Sequence, residues 1–168
     1  QYGTLADDAT IGRTKEVMEG NGIRVLVVED AQAARDTVLN VIPEGSEVMN
    51  VTSVSLQETG LADIITKSGR FRSVRNRLVS MDQKTQGREM RQLGAAPDWV
   101  IGSVHAVTEE GRIFIASYSG SQMPAYVYGA GRVVWVIGTQ KIVKNYDEAL
   151  RRIYEYVWPL EDQRAMAA

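Results

Sequence analysis

One histidine and no cysteine bound the chemistry open to this 168-residue chain. Thiol nucleophiles, disulfides and iron–sulfur ligation are excluded, and a nitrogen/sulfur zinc site lacks ligands. A metal held by carboxylates alone stays open. His105 is the sole imidazole able to act as a general base. It lies in the apolar run 99–107, where strand alternation puts Trp99, Ile101, Ser103, His105 and Val107 on one face. Ser103 and His105 are thus polar groups two residues apart. That spacing is a poor in-line geometry for a nucleophilic pair, and no Gly-x-Ser-x-Gly elbow surrounds Ser103. The catalytic reading is His105 as general base, helped by Ser103 or Glu58. The competing reading is a histidine satisfied within the packing.

Three loops carry groups suited to an anion. In the first, residues 52–60, Ser55-x-x-Glu58 fits a capping box. Ser53 is not explained by that cap and is the better ligand contact. In the second, a Ser/Gly-rich turn holds Ser119, Gly120, Ser121 and Gln122 ahead of Pro124, which suits the first turn of a helix. An ordinary N-cap at Ser119 or Ser121 is the alternative. No phosphate-binding Gly-x-x-x-x-Gly-Lys pattern is present. In the third, Lys141 follows Gly138-Thr139-Gln140 and brings a positive charge.

These loops need elements to hold them. Residues 8–19 read as a helix, with Asp7 and Asp8 at its positive end and Gly20-Asn21-Gly22 as its stop. Residues 25–28 (Val-Leu-Val-Val) read as a strand covered on both faces. Helices are expected over 31–42 and 55–68, and a strand over 47–51. Residues 70–93 read as helix broken near Ser80-Met81 and Gly87. Strands 99–107 and 112–118 have hairpin spacing, with Glu109 and Glu110 in the turn. A short helix over 121–130, a strand over 132–138 and a helix over 146–157 stopped by Pro159 complete the chain. Asn145-x-x-Glu148 caps that last helix. The order predicts one α/β domain over 1–168, with a single mostly parallel sheet, flanking helices and an antiparallel hairpin. In such sheets ligands sit beyond the carboxyl ends of strands.

Charge is uneven. Between Lys67 and Arg91 there are eight basic and two acidic residues, a net of +6 in a chain of −2. This segment suits an anionic ligand or a docking partner, or else a solvated helical face. No aromatic set for nucleic acid is present. No apolar run approaches the ~20 residues that span a bilayer. With no signal peptide visible after Gln1, the expected compartment is the cytoplasm.

Four blocks together resemble a known family: residues 52–61, residues 98–108 from Asp98-Trp99 to Thr108, residues 119–124 and residues 135–143. Their order and spacing resemble the LUD-domain family, the lactate-utilisation proteins of the LutC type, over nearly the whole chain. The resemblance implies a fold similar to the NagB/RpiA/CoA-transferase group. It implies a place in lactate or related carboxylate metabolism, and with the loop reading gives an anionic small metabolite contacted by Ser53, Ser119, Gly120, Ser121, Gln122 and Lys141. Family members are linked to oxidation of L-lactate to pyruvate beside iron–sulfur and dehydrogenase partners. Two alternatives stay open. One is a hydrolase or isomerase using His105. The other is a non-catalytic subunit docking an iron–sulfur oxidoreductase partner through residues 67–91. No resident cofactor is expected, and homo-oligomerisation is left open.

Overall fold

The computed structural model describes residues 2–166 and is an α/β protein with two sheets. It comprises two compact units. The first holds residues up to Val27, Val104–Ala116 and the chain from Ile137 on. The second holds Val28–Ser103 and Ser117–Val136.

The second unit is built on a parallel sheet of β1 (Glu47–Asn50), β2 (Arg72–Ser73), β3 (Trp99–Gly102) and β6 (Arg132–Trp135), in the order β2-β1-β3-β6. Register pairs Asn50 with Ile101 and Gly102 with Trp135. One face therefore carries Val48, Asn50, Trp99, Ile101 and Val134. Apart from Asn50 this face packs on Val38 and Ile42, from α2 (Ala31–Val41) and the residue after it, on Leu56 of α3 (Val54–Glu58), and on Leu61 and Ile65 of α4 (Leu61–Lys67). The other face carries Val100, Gly102 and Trp135. Tyr126 stands edge-on to Trp135, with ring centroids 5.7 Å apart. The connections are α5 (Val74–Val79), α6 (Gln83–Ala95) and a π-helical turn, Ala125–Gly129.

The first unit holds a three-stranded sheet, β5-β4-β7, from β4 (Ala106–Thr108), β5 (Ile113–Phe114) and β7 (Ile142–Val143). Its helices are α1 (Asp8–Gly20), α7 (Tyr146–Arg152) and α8 (Trp158–Met166), the last two joined by a π-helical turn, Ile153–Val157. Among the described residues, no helix is long and apolar enough to cross a membrane.

Local signals read well. Asp7, Asp30 and Asn145 cap α1, α2 and α7 through side-chain oxygens. The hairpin forms, with Ala106 opposite Phe114 and Val107 opposite Ile113. Helix breaks fall after Val79 and at Gln86.

Several expectations are corrected. The strands occupy two sheets instead of one, because 99–107 divides into β3 and β4 around Ser103, Val104 and His105. Residues 25–28 form no strand: the segment is β-branched but finds no partner strand among the described residues. The helix expected over 55–68 is two helices, parted at Gly60 in the left-handed conformation with φ +72°. Residues 132–138 stay in strand only to Trp135. Pro159 does not stop the last helix. It is the second residue of α8, and the helical run continues through it directly after the π-helical turn Ile153–Val157, the kind of local departure from α geometry that accompanies proline within helices.

Gly102 of β3 lies directly against the Tyr126 side chain. A Cβ there would lie 1.7 Å from the Tyr126 hydroxyl and 3.3 Å from Val51 Cβ. We expect Gly102→Ala to lose about 1–3 kcal/mol by overpacking, measured by urea unfolding. Adding Tyr126→Phe should restore part of it, since the hydroxyl is the first atom met. A fully stable Gly102→Ala would show that Tyr126 moves aside at no cost.

Candidate functional site

Strand order selects one edge of the parallel sheet for ligand binding. From β1 the chain crosses to β2 on one side, while β3 lies on the other. The connections leaving β1 and β3 therefore diverge, and a crevice is expected beyond their carboxyl ends. Asn50 ends β1 and is buried, and its Oδ1 has no hydrogen-bond partner. An orphaned buried acceptor costs about 1–3 kcal/mol. Two residues on, the Thr52 hydroxyl accepts from Arg75 Nη1 at 3.1 Å.

Arg75 comes from the first turn of α5, which begins directly at the carboxyl end of β2. It is half-buried. Three basic residues near it in sequence are paired, Arg72 with Asp98 at 3.5 Å, Arg77 with Glu47 at 2.6 Å and Lys67 with Asp63 at 2.9 Å, while Arg70 donates to the Leu39 carbonyl at 2.8 Å. Among the described residues, no carboxylate lies within 4.0 Å of Arg75. A half-buried guanidinium beside a hydroxyl is a fork for a carboxylate or phosphate. Sequence reasoning passed over Arg75 and Asn50. The charge of the 67–91 segment was the available signal, but which of its residues lacks an acidic partner is a tertiary fact.

Ser53 is the N-cap residue of α3, yet its side chain makes no cap hydrogen bond. The capping box expected at Ser55 and Glu58 does not form. The helix starts at Val54, so Ser55 falls inside it and is buried, while Glu58 ends it and is exposed. The cap position moved two residues towards β1 because the chain turns into helix almost at once after the strand.

The turn over 117–122 is closed on itself. Ser117 Oγ donates to Gln122 Oε1 at 2.8 Å and accepts from the Gly120 N–H at 2.9 Å. The Ser119 and Ser121 hydroxyls are 3.0 Å apart, and the Met123 N–H donates to Gly120 O at 3.0 Å. Gly120 sits at φ +70° with open space around it. Ser119, Gly120, Ser121 and Gln122 are thus brought together, with several of their donors already used.

Ser103 follows β3 in the unit of the parallel sheet, and its carbonyl accepts from the Tyr126 hydroxyl at 3.3 Å. Burial pushes the Tyr126 hydroxyl up to about 12, so it remains a proton donor at neutral pH. His105 and Lys141 belong to the other unit. There His105 Nδ1 accepts from the Ala116 N–H at 3.1 Å. That contact leaves the ring proton on Nε2 in the neutral form. Burial lowers the His105 pKa, and the charge of Lys141 lowers it further; Glu161 opposes and Arg152 adds to the depression. Arg152 is buried and donates to the carbonyls of His105 (2.9 Å) and Tyr2 (2.8 Å). His105 is therefore a neutral imidazole presenting an N–H, suited to donating a hydrogen bond.

The fold is that of an α/β protein whose parallel sheet carries a guanidinium and a hydroxyl, Arg75 and Thr52, at its diverging carboxyl edge. The sequence assigns it more closely. The LUD domain matches residues 11–167, and the chain belongs to this family, which is related to lactate utilisation. Among curated proteins, none matches the chain.

The His105 geometry has a pH consequence. The folded pKa lies below the ordinary 6.5. Above 6.5 the ring is neutral folded and unfolded. As pH falls below 6.5 the unfolded chain takes the proton first, so stability is lost until pH passes the folded pKa. Thermal unfolding from pH 7.5 down to 5.5 should show this decline, and His105→Gln should flatten it. An equal decline in the variant would assign the loss to other groups.

Proposed function

We propose that this LUD-domain protein binds a small anionic metabolite at the carboxyl edge of its parallel sheet, in lactate or related carboxylate metabolism. The observation that carries the reading is Arg75: half-buried, bonded to Thr52 and without an acidic partner among the described residues. Its guanidinium holds the carboxylate, with the Thr52 hydroxyl beside it. Ser53, whose hydroxyl is not engaged as a cap, adds a donor. The orphaned Oδ1 of Asn50 is an acceptor and suits a ligand hydroxyl, which favours a 2-hydroxy acid over the 2-oxo acid. The family's link to lactate supports the same class. The arrangement is a binding site; a hydride or proton acceptor for turnover is not part of this reading.

Calorimetric titration with lactate, pyruvate and a sugar phosphate tests it. Each charge-assisted hydrogen bond contributes about 1.5–3 kcal/mol, so Arg75→Ala should weaken lactate binding on the order of 10- to 100-fold. Arg75→Lys should recover only part, since an ammonium lacks the planar fork. Thr52→Val should cost less. Gly120→Val should leave binding unchanged. A normal titration by Arg75→Ala together with a loss in Gly120→Val would move the site to the 117–122 turn.

A further inference from the structure

Residues 24–30, Arg-Val-Leu-Val-Val-Glu-Asp, carry strong strand propensity, yet residues 23–28 lie outside helix, strand and turn. Leu26, Val27 and Val28 are 48%, 54% and 38% exposed. Exposure alternates from Ile23 to Leu26, as in an extended chain. Among the described residues, no backbone hydrogen bond is made by residues 24–29, as donors or acceptors. A β-branched, exposed run with unpaired backbone is a template for another strand.

We propose that this segment pairs with the same segment of a second copy of the chain, antiparallel about a two-fold axis at Val27. The occupant follows from the segment's own pattern. A two-fold axis perpendicular to a strand pair maps each face onto itself, so paired residue numbers must share parity. Two registers keep the apolar run in the pair. Centred on Leu26, Arg24 faces Val28 and Ile23 faces Glu29, which leaves each charge on an apolar group. Centred on Val27, Arg24 faces Asp30 at both ends, Leu26 faces Val28 and Val27 faces its own copy, so that of the three charges only Glu29, opposite Val25, stays on an apolar group. The second register turns the one cation and an anion into two cross-strand ion pairs around an apolar centre, which is favourable charge pairing in a sheet. Asp30 caps α2 through Oδ1 and can offer Oδ2 to Arg24. A free edge of this kind in a chain with self-complementary charges closes as an isologous dimer.

The absence of cysteine makes a clean test. Directly opposed residues of a strand pair have Cβ atoms about 4.5–5.5 Å apart, close to disulfide reach. Under mild oxidation, Val27→Cys should give a covalent dimer as the main species. Leu26→Cys should cross-link several-fold less, and Val79→Cys, on an exposed site of α5, should give only background. Sedimentation at 100 µM should show the unmodified chain as a dimer. Arg24→Glu should shift its dissociation constant at least tenfold, with unchanged circular dichroism. A monomeric parent chain, or Val27→Cys cross-linking no better than Val79→Cys, overturns the proposal. Preferential cross-linking by Leu26→Cys overturns this register.

Discussion

The candidate site depends on β1 having a parallel neighbour on each side. Because Glu47–Asn50 pairs with Arg72–Ser73 on one edge and Trp99–Gly102 on the other, the chain must leave β1 in one direction and return past it. Parallel pairs require crossovers, and crossovers put all carboxyl ends on one edge. That single constraint brings the residues after β1 beside the first turn of α5. Arg75 reaches Thr52 across 23 positions of sequence for this reason alone.

Charge placement within that frame is selective. Of the basic residues between Lys67 and Arg91, those at positions 67, 72 and 77 have carboxylate partners at the surface. Exposed pairs of that kind contribute little to stability. They do remove competing positive charge around Arg75. The segment is therefore not a uniform docking face: three of its eight cations are paired, and Arg75 is the one bonded to Thr52 at the sheet's carboxyl edge.

What was legible in the sequence was local. Asp7 and Asn145 announce their helices because the interactions at a helix start join residues within one turn. Glu148 completes the last of these by accepting from the Lys144 N–H. The hairpin at Thr108–Gly111 was legible for the same reason. The partition into two sheets was not, because β2, β5 and β7 have two residues each and so carry no alternation to read. The 25–28 run misled because propensity says that a segment would pair, not that its own chain supplies the partner. Ser53, Ser119 and Ser121 were found as loop hydroxyls. Arg75 was lost in a charge run, and Asn50 looked like an ordinary strand residue.

The polar defects of the parallel sheet point the same way. Asn50 Oδ1 ends β1 on one face, and Trp135 Nε1 ends β6 on the other; both are buried without a partner. Buried polar atoms are nearly always satisfied, and unsatisfied ones collect where a protein departs from its own packing rules for a functional reason. Val48 before Asn50 on β1, and Val100 and Ile101 on β3 between the two strands, are apolar and fully buried. The middle of the sheet is thus packed for stability, and its carboxyl edge is left polar, cationic and incompletely bonded. That composition is why the proposed ligand is a hydroxy carboxylate, with its anion on Arg75 and its hydroxyl on Asn50.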